Sequence, residues 1–459
     1  MPPSTPFPAS SQKSLTESFT ESSPETLRSP SPPDLAVVLS GGGARGAYQV
    51  GVLRGIARRF PRLRFPIVTG VSAGAINAAF LASHPGSVEE ATEELTQLWR
   101  NLEVKHVFRT HTSSMAASMM RWALRLSSGG SALAPTTRGL LDTAPLHQLL
   151  KRAIPTVDGV MEGVRRNHQQ GKLRALALTT IDWNSGCTVT WVEGEEISTW
   201  ERPNRVGRRC RMTLEHVMAS SALPLVFPAT RLAGSWHGDG GIRLSAPLSP
   251  AIHLGARRIL VISNRYQRSA EEAQAPVILG YPPPAQIIGK LLNSIFLDLV
   301  DQDVARLTNI NQLVARVPPE HRGRFRLLDT LVIRPSRDLG RLAADFEAQL
   351  PGTLRFITRS LGTRETSSPD FLSLLLFEPG YLRRLMEIGE EDAETALEPL
   401  TELLESGPSA PVNSAANTGA TGRANPVDEK EPSSGDEPPL EEHSEDDHKR
   451  ERAASAGDD

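Results

Sequence analysis

The chain has 459 residues and a net charge of −3, which averages three unlike parts: −2 over residues 1–34, +8 over the body, and −9 from Glu405 onward. It has no apolar run near the roughly 20 residues that cross a bilayer, no basic-then-apolar leader, and no His cluster at zinc spacing. Its two cysteines, Cys187 and Cys210, fall outside any C-x-x-C pattern and do not demand a disulfide. These features argue against a membrane-spanning, signal-bearing or metal-held chain, and make the cytoplasm the default compartment.

Residues 1–34 are rich in Ser, Pro and Thr, and residues 405–459 in Ser, Pro, Gly and acids. Neither end has the apolar content to offset the entropy of ordering, so both read as disordered tails. Residues 35–404 are long enough for one large domain, or a core over 35–264 with an extension over 265–404. The basic body suits an anionic membrane surface or nucleic acid, or simply a solvated arginine-rich surface.

In chain order, "LAVVLS" (35–40) is a continuous apolar run, like a strand buried on both faces of a parallel sheet. Residues 46–59 follow as a helix with Val50, Leu53 and Ile56 on one stripe. "FPIVTGVS" (65–72) is a second buried strand, "AGAINAAFLA" (73–82) a small-residue helix, and "SVEEATEELTQLWRNL" (87–102) an amphipathic one. In residues 113–128, Met115, Met119 and Trp122 share a helical stripe, with Met120 and Ala123 beside it and Arg121 and Arg125 on another face. That segment either packs on the core, dips into a lipid interface or acts as a lid. "KLRALALTTIDW" and "CTVTWVEG" pair around a turn at Asn184-Ser185-Gly186. A helix over 213–228 stops at Pro224, "ARRILVIS" (256–263) is another buried strand, a long helix spans 284 to about 317, and more helix runs to about Glu405. The alternation gives an α/β fold with a mostly parallel sheet and helices on both faces.

The first strand ends in "GGGARG", which matches G-x-G-x-x-G at Gly41, Gly43 and Gly46. A dinucleotide site also wants an acid about 20 residues on, and no Asp or Glu occurs from 35 to 88. An NADPH-type site using Arg58, Arg59, Arg62 or Arg64 stays open but ranks low. The second strand ends in Gly70-Val71-Ser72-Ala73-Gly74, a G-x-S-x-G between strand and helix. That is the pattern of a nucleophile elbow, with the serine exposed on a tight turn. Consecutive glycines Gly41, Gly42 and Gly43 then become candidates for the oxyanion hole. Arg45 helps by charge or braces the loop. Asp239, in "HGDGG", is the candidate base if a dry pocket raises its pKa; otherwise it bonds its own turn. His237 shares a strand face with Asp239 and offers a less favoured triad.

Together "GGGARG" (41–46), "GVSAG" (70–74) and "DGG" (239–241), with "ASSALPLVFP" (219–228) and Pro247, resemble the patatin-like phospholipase family over roughly 35–265. "FLDLVDQDVARL" and "LLLFEPGYLRRLMEIGEEDA" look like the helical extension of its bacterial members. The resemblance implies a three-layer α/β/α fold and a Ser–Asp dyad of Ser72 and Asp239. It implies an oxyanion hole at Gly41–Gly43, supported by Arg45, Gly70, Gly74, Gly240 and Gly241. The implied substrates are acyl esters of lipids, with no metal, no organic cofactor and no nucleic-acid partner. Many members carry Asn before the proline after "DGG"; here that place reads Leu244-Ser245-Ala246, with Ser245 the residue available to bond the turn. The expected activity is hydrolysis of phospholipid or lysophospholipid acyl esters. Transacylation with the same dyad and a non-catalytic lipid-binding scaffold are the alternatives.

Overall fold

The computed structural model describes residues 32–405, apart from 110–116, 118, 119, 122, 126, 129–138, 196, 275–280, 297, 366 and 367. The expected disordered tails lie outside the described residues, except for their inner ends at 32–34 and 405, and so do Met115, Met119 and Trp122 of the Met-rich stripe. Met120, from the same segment, is exposed.

The apolar run of the first strand folds as expected. β1 (Leu35–Leu39) alternates its side chains between two separate cores: Leu35, Val37 and Leu39 face one, Ala36 and Val38 the other. A strand covered on both faces has no position for a polar side chain, which is why its sequence lacks the polar alternation of an edge. β2 (Ile67–Gly70) lies parallel beside β1, and β3 (Ala175–Asp182) parallel beside β2. On the other side of β1 lie β9 (Arg258–Ile262) and β10 (Asp329–Ile333), also parallel. β4 (Thr188–Gly194) turns back antiparallel to β3 around the Asn184–Gly186 turn, and β6 (Arg205–Arg209) and β5 (Glu201–Arg202) extend that edge.

Helices cover both faces. α1 (Gly46–Arg59), α2 (Ala73–Ser83) and α3 (Val88–Arg100) pack on the first core; Ser87 caps α3 with a reciprocal Glu90 bond. On the opposite face Leu248, Ala251 and Leu254 join Val300 and Leu307. The architecture is therefore a mostly parallel sheet between helical layers.

Pro284–Phe296 and Asp298–Ala315 are helical, within the helix expected from 284 to about 317, and residue 297 lies outside the described residues. One sequence expectation changes here. "DTLVI" is a strand rather than helix: Leu331 and Ile333 join one core, Val332 the other, the same two-faced alternation that marks β1. Among the described residues, no helix is long and apolar enough to cross a membrane.

Candidate active site

One edge of β3 is shared by two strands. Its first half pairs with β2, up to Gly70 opposite Leu178. Two residues further on it pairs with the antiparallel β8 (Ser235–Asp239), with Asp239 opposite Thr180. β2 thus ends where β8 arrives from the other direction, and the residues leaving both tips meet. Ser72 is one of them and Asp239 the other.

Ser72 sits between β2 and α2 with φ 58° and ψ −129°, a left-handed backbone rare for a residue with a Cβ. Strain of this kind costs about 1–3 kcal/mol and persists only where neighbours hold it. The holders are identifiable. Ser220 Oγ accepts the Ser72 N–H at 3.1 Å and donates to the Thr179 carbonyl at 2.7 Å. Ser221 Oγ donates to the Ser72 carbonyl at 3.1 Å. Gly74 must be glycine, because a Cβ there would lie 2.2 Å from the Leu39 carbonyl oxygen of β1. The expected helix over 213–228 ends early, as α4 (Leu214–Ser220), and its last residue and the next supply these clamps. Ala222 then accepts the Asp239 N–H at 3.0 Å, so one short segment fixes both tips.

Asp239 is fully buried. Its Oδ1 accepts the Gly241 N–H at 2.9 Å, while Oδ2 has no hydrogen-bond partner. Burial pushes the carboxyl up to about 7, against the downward pull of the Ser72 hydroxyl and the Gly241 N–H. Ser72 is thus a near neighbour of the carboxyl, and no hydrogen bond joins its hydroxyl to Oδ2 in this structure. A carboxylate poised near neutrality with one free lone-pair oxygen is suited to accept a proton.

Ser72 opens onto an apolar cavity. Ile76 from α2, Leu98 from α3, Leu223, Phe227 and Leu375 line it, together with Gly42 and Gly43. Among the described residues the N–H groups of Gly41, Gly42 and Gly43 find no acceptor. Gly41 lines a neighbouring small cavity with Gly70 and Gly241, so Gly42 and Gly43 are the two that line the cavity shared with Ser72. Gly43 has φ 55°, and a Cβ there would come within 2.2 Å of the Leu374 carbonyl oxygen. Asn264, just past β9, donates to the Gly41 carbonyl at 2.8 Å and holds the turn from behind. Ser72 also stands at the N-terminal end of α2, whose dipole favours developing negative charge.

Arg45 is a brace. It is buried, and its guanidinium meets Asp370 Oδ1 at 2.8 Å and Ser373 Oγ at 2.8 Å. Both belong to a short helix, α5 (Asp370–Leu375), far beyond the motifs. Burial would raise Asp370, but the charges of Arg45 and Lys290 outweigh it and hold the carboxyl below its ordinary value. Gly240 follows Asp239, its Cα close against the Thr179 carbonyl.

His237 is not brought to Ser72. Its Nδ1 bonds Thr180 Oγ1 at 3.1 Å, its ring packs edge-on against Trp191, and burial holds its pKa below the ordinary value. Ser245 is exposed, and its backbone bonds Arg243, not the Asp239 turn. Cys187 and Cys210 are free thiols. A larger cavity of about 1230 Å³ lies beyond the other end of the sheet, lined by Arg62, Lys172 and Arg174 among others, away from this chemistry. Sequence reading missed Ser220, Ser221, Asn264 and Asp370. Only the serine pair carried a signal, as part of "ASSALPLVFP".

Residues 37–252 match the family model described as Patatin-like phospholipase. No curated protein matches the chain. Among solved structures it is similar to human GIVD cytosolic phospholipase A2 in complex with methyl gamma-linolenyl fluorophosphonate, at 13% identity and TM-score 0.39, over 81% of this chain and 59% of that one. It is similar to VipD from Legionella pneumophila at 14% identity and TM-score 0.33, over 80% and 67%. It is also similar to the ExoU–SpcU complex from the type III secretion system of Pseudomonas aeruginosa, at 14% identity and TM-score 0.24, over 82% and 78%. The chain spans 59% of the length of the first of these.

Proposed function

We propose, from a chain whose residues 37–252 belong to the patatin-like phospholipase family, that this protein is a serine hydrolase of fatty-acyl esters in phospholipids or lysophospholipids. The observation that carries the reading is the meeting of Ser72 and Asp239 at the point where β3 exchanges β2 for β8, beside an apolar cavity. The cavity suits a hydrocarbon chain, and the glycine turn suits the oxygen of its ester.

In the first half-reaction Asp239 takes the hydroxyl proton as Ser72 Oγ bonds to the ester carbonyl carbon. The carbonyl oxygen becomes an oxyanion, met by the Gly42 and Gly43 N–H groups with Gly41 in the same turn. Collapse breaks the bond to the alcohol, which leaves with the proton from Asp239, and acyl-Ser72 remains. In the second half, Asp239 takes a proton from water, the hydroxide adds to the acyl carbon, and fatty acid departs as Ser72 Oγ recovers the proton. Arg45, turned to Asp370, positions the loop. The basic body makes an anionic membrane surface the expected place of work.

Purified full-length protein is expected to release fatty acid from phospholipid and to hydrolyse a short-chain p-nitrophenyl ester, with Ser72→Ala and Asp239→Asn each abolishing both. Full turnover by Ser72→Ala sinks the mechanism.

A further inference from the structure

We propose that the Ser72 end of the sheet is a docking face for an anionic lipid surface, entered by the indoles of Trp183 and Trp236 and the side chain of Leu225. This rests on the reading of the chain as a lipid acyl hydrolase and names the surface from which its site would be fed.

The strands that set the base also set this face. Asp239 pairs with Thr180, His237 with Asp182, and one step further the Trp183 N–H donates to the Trp236 carbonyl at 2.8 Å. At about 3.3 Å per residue, the two tryptophans stand roughly 10 Å beyond the Asp239 level, toward solvent. The inner residues are sealed, with His237 1% exposed and Asp239 0%, whereas Trp183 is 44% and Trp236 45% exposed. Trp183 is held in place: its indole lies over Gly238, where a Cβ would come within 2.6 Å of Nε1.

Leu225 is 66% exposed and has φ 64°. An outward leucine in left-handed backbone has two costs and no folding benefit of its own. The loop is nonetheless pinned: the Leu140 N–H donates to the Leu225 carbonyl at 3.0 Å, and the Leu141 N–H to the Val226 carbonyl at 2.9 Å. Its neighbours Leu223 and Phe227 line the Ser72 cavity. The exposed leucine therefore stands two residues along the chain from each of two cavity-lining side chains.

Charge fits the same surface. Exposed Arg231 pairs across from Trp236, and exposed Arg243 donates to the Gly186 carbonyl in the turn after Trp183. The nearby acid, Asp182, has its oxygens engaged by the Asn184 N–H and the Ser185 hydroxyl. Tryptophan with arginine at an exposed rim is the composition that a membrane interface favours.

The test uses full-length Ser72→Ala protein, which leaves lipid intact, sedimented with phosphatidylglycerol-containing vesicles. Trp236→Ala and Leu225→Gly are each expected to weaken the partition roughly tenfold. Leu225→Gly suits the left-handed backbone, so it removes the side chain without disturbing the fold, and a thermal melt checks this. Vesicles with brominated acyl chains are expected to quench tryptophan emission, less so in the Trp183→Phe/Trp236→Phe protein. Failure of the parent protein to sediment, undiminished sedimentation of both single variants, or undiminished quenching of the Phe protein overturns the proposal. Hydrolysis of a water-soluble short-chain ester, with Ser72 intact, is measured separately. Its presence without vesicle binding sinks the docking face and leaves the Ser72 chemistry standing; its absence with vesicle binding does the reverse.

Discussion

Asp239→Asn should make the protein inactive and more stable, and the gain should depend on pH. Asp239 is fully buried, and its carboxyl is pushed from its ordinary 3.8 up to about 7 by desolvation. The folded chain therefore holds this proton more tightly than the unfolded chain. Stability from that source is complete below about pH 4, declines as pH rises toward 7, and stays at its reduced level above. A displacement of that size corresponds to at most about 4 kcal/mol for carrying the charged form. Asparagine is the same shape, still accepts from the Gly241 N–H, carries no charge, and places an N–H₂ toward the Ser72 hydroxyl. Urea midpoints of the two proteins should nearly coincide at about pH 4, separate progressively to about pH 7, and stay apart at higher pH. The kcat of the wild-type protein on a short-chain ester should rise through about 7 with one ionisation, since only deprotonated Asp239 can take the serine proton. A stability difference between the two proteins that is flat from about pH 4 to 8 would refute the reasoning. It would mean that the carboxylate is solvated or paired, and that its basicity has another source.

Asp370→Asn leaves the buried Arg45 guanidinium without its counter-charge; it should destabilise the chain by about 3 kcal/mol and lower kcat more than it raises KM, read from a urea titration and short-chain ester kinetics. Ser220→Ala removes the acceptor of the Ser72 N–H and frees the Thr179 carbonyl, at a cost of about 1–3 kcal/mol; kcat should fall, and Ser220→Thr should restore part of it. His237→Gln should keep turnover within a few-fold while lowering the melting temperature, because His237 serves Thr180 and Trp191. A loss as large as that of Asp239→Asn would put a histidine back into the mechanism.

Much of this was legible in the sequence, for physical reasons that differ along the chain. β1, β2 and β9 were readable because a strand covered on both faces tolerates only apolar side chains. The elbow was readable because Gly70 and Gly74 leave room that any side chain would fill. β10 was not, because its five residues lie among helical segments, and short apolar runs carry no period that separates strand from helix. The early stop of α4 was hidden for another reason: Ala219, Ser220 and Ser221 continue a helical pattern without a break, and only the positions of Ser72 and Thr179 tell the serine hydroxyls to turn elsewhere. Arg45 could be placed in the turn by sequence, but its partner is 325 residues away and no spacing rule connects them.

That distant partner bears on where the site is made. Residues 37–252 contain Ser72, Asp239 and the glycine turn, yet those residues alone do not close the site. Asn264 holds the Gly41 carbonyl, the Leu374 carbonyl crowds Gly43 so that only glycine fits, and Leu375 and Phe377 form part of the wall of the cavity beside Ser72. Arg45 would be a buried charge without Asp370, a penalty of several kcal/mol that the turn could not carry alone. α6 (Pro379–Thr395) follows directly and is tied to α1 by the Tyr48 hydroxyl donating to Asp392 at 3.0 Å. The helix that leaves the glycine turn is thereby fixed by the same late segment that covers the turn. The motifs supply Ser72, Asp239 and the glycine turn, while Asn264 and residues 370–395 hold that turn in place.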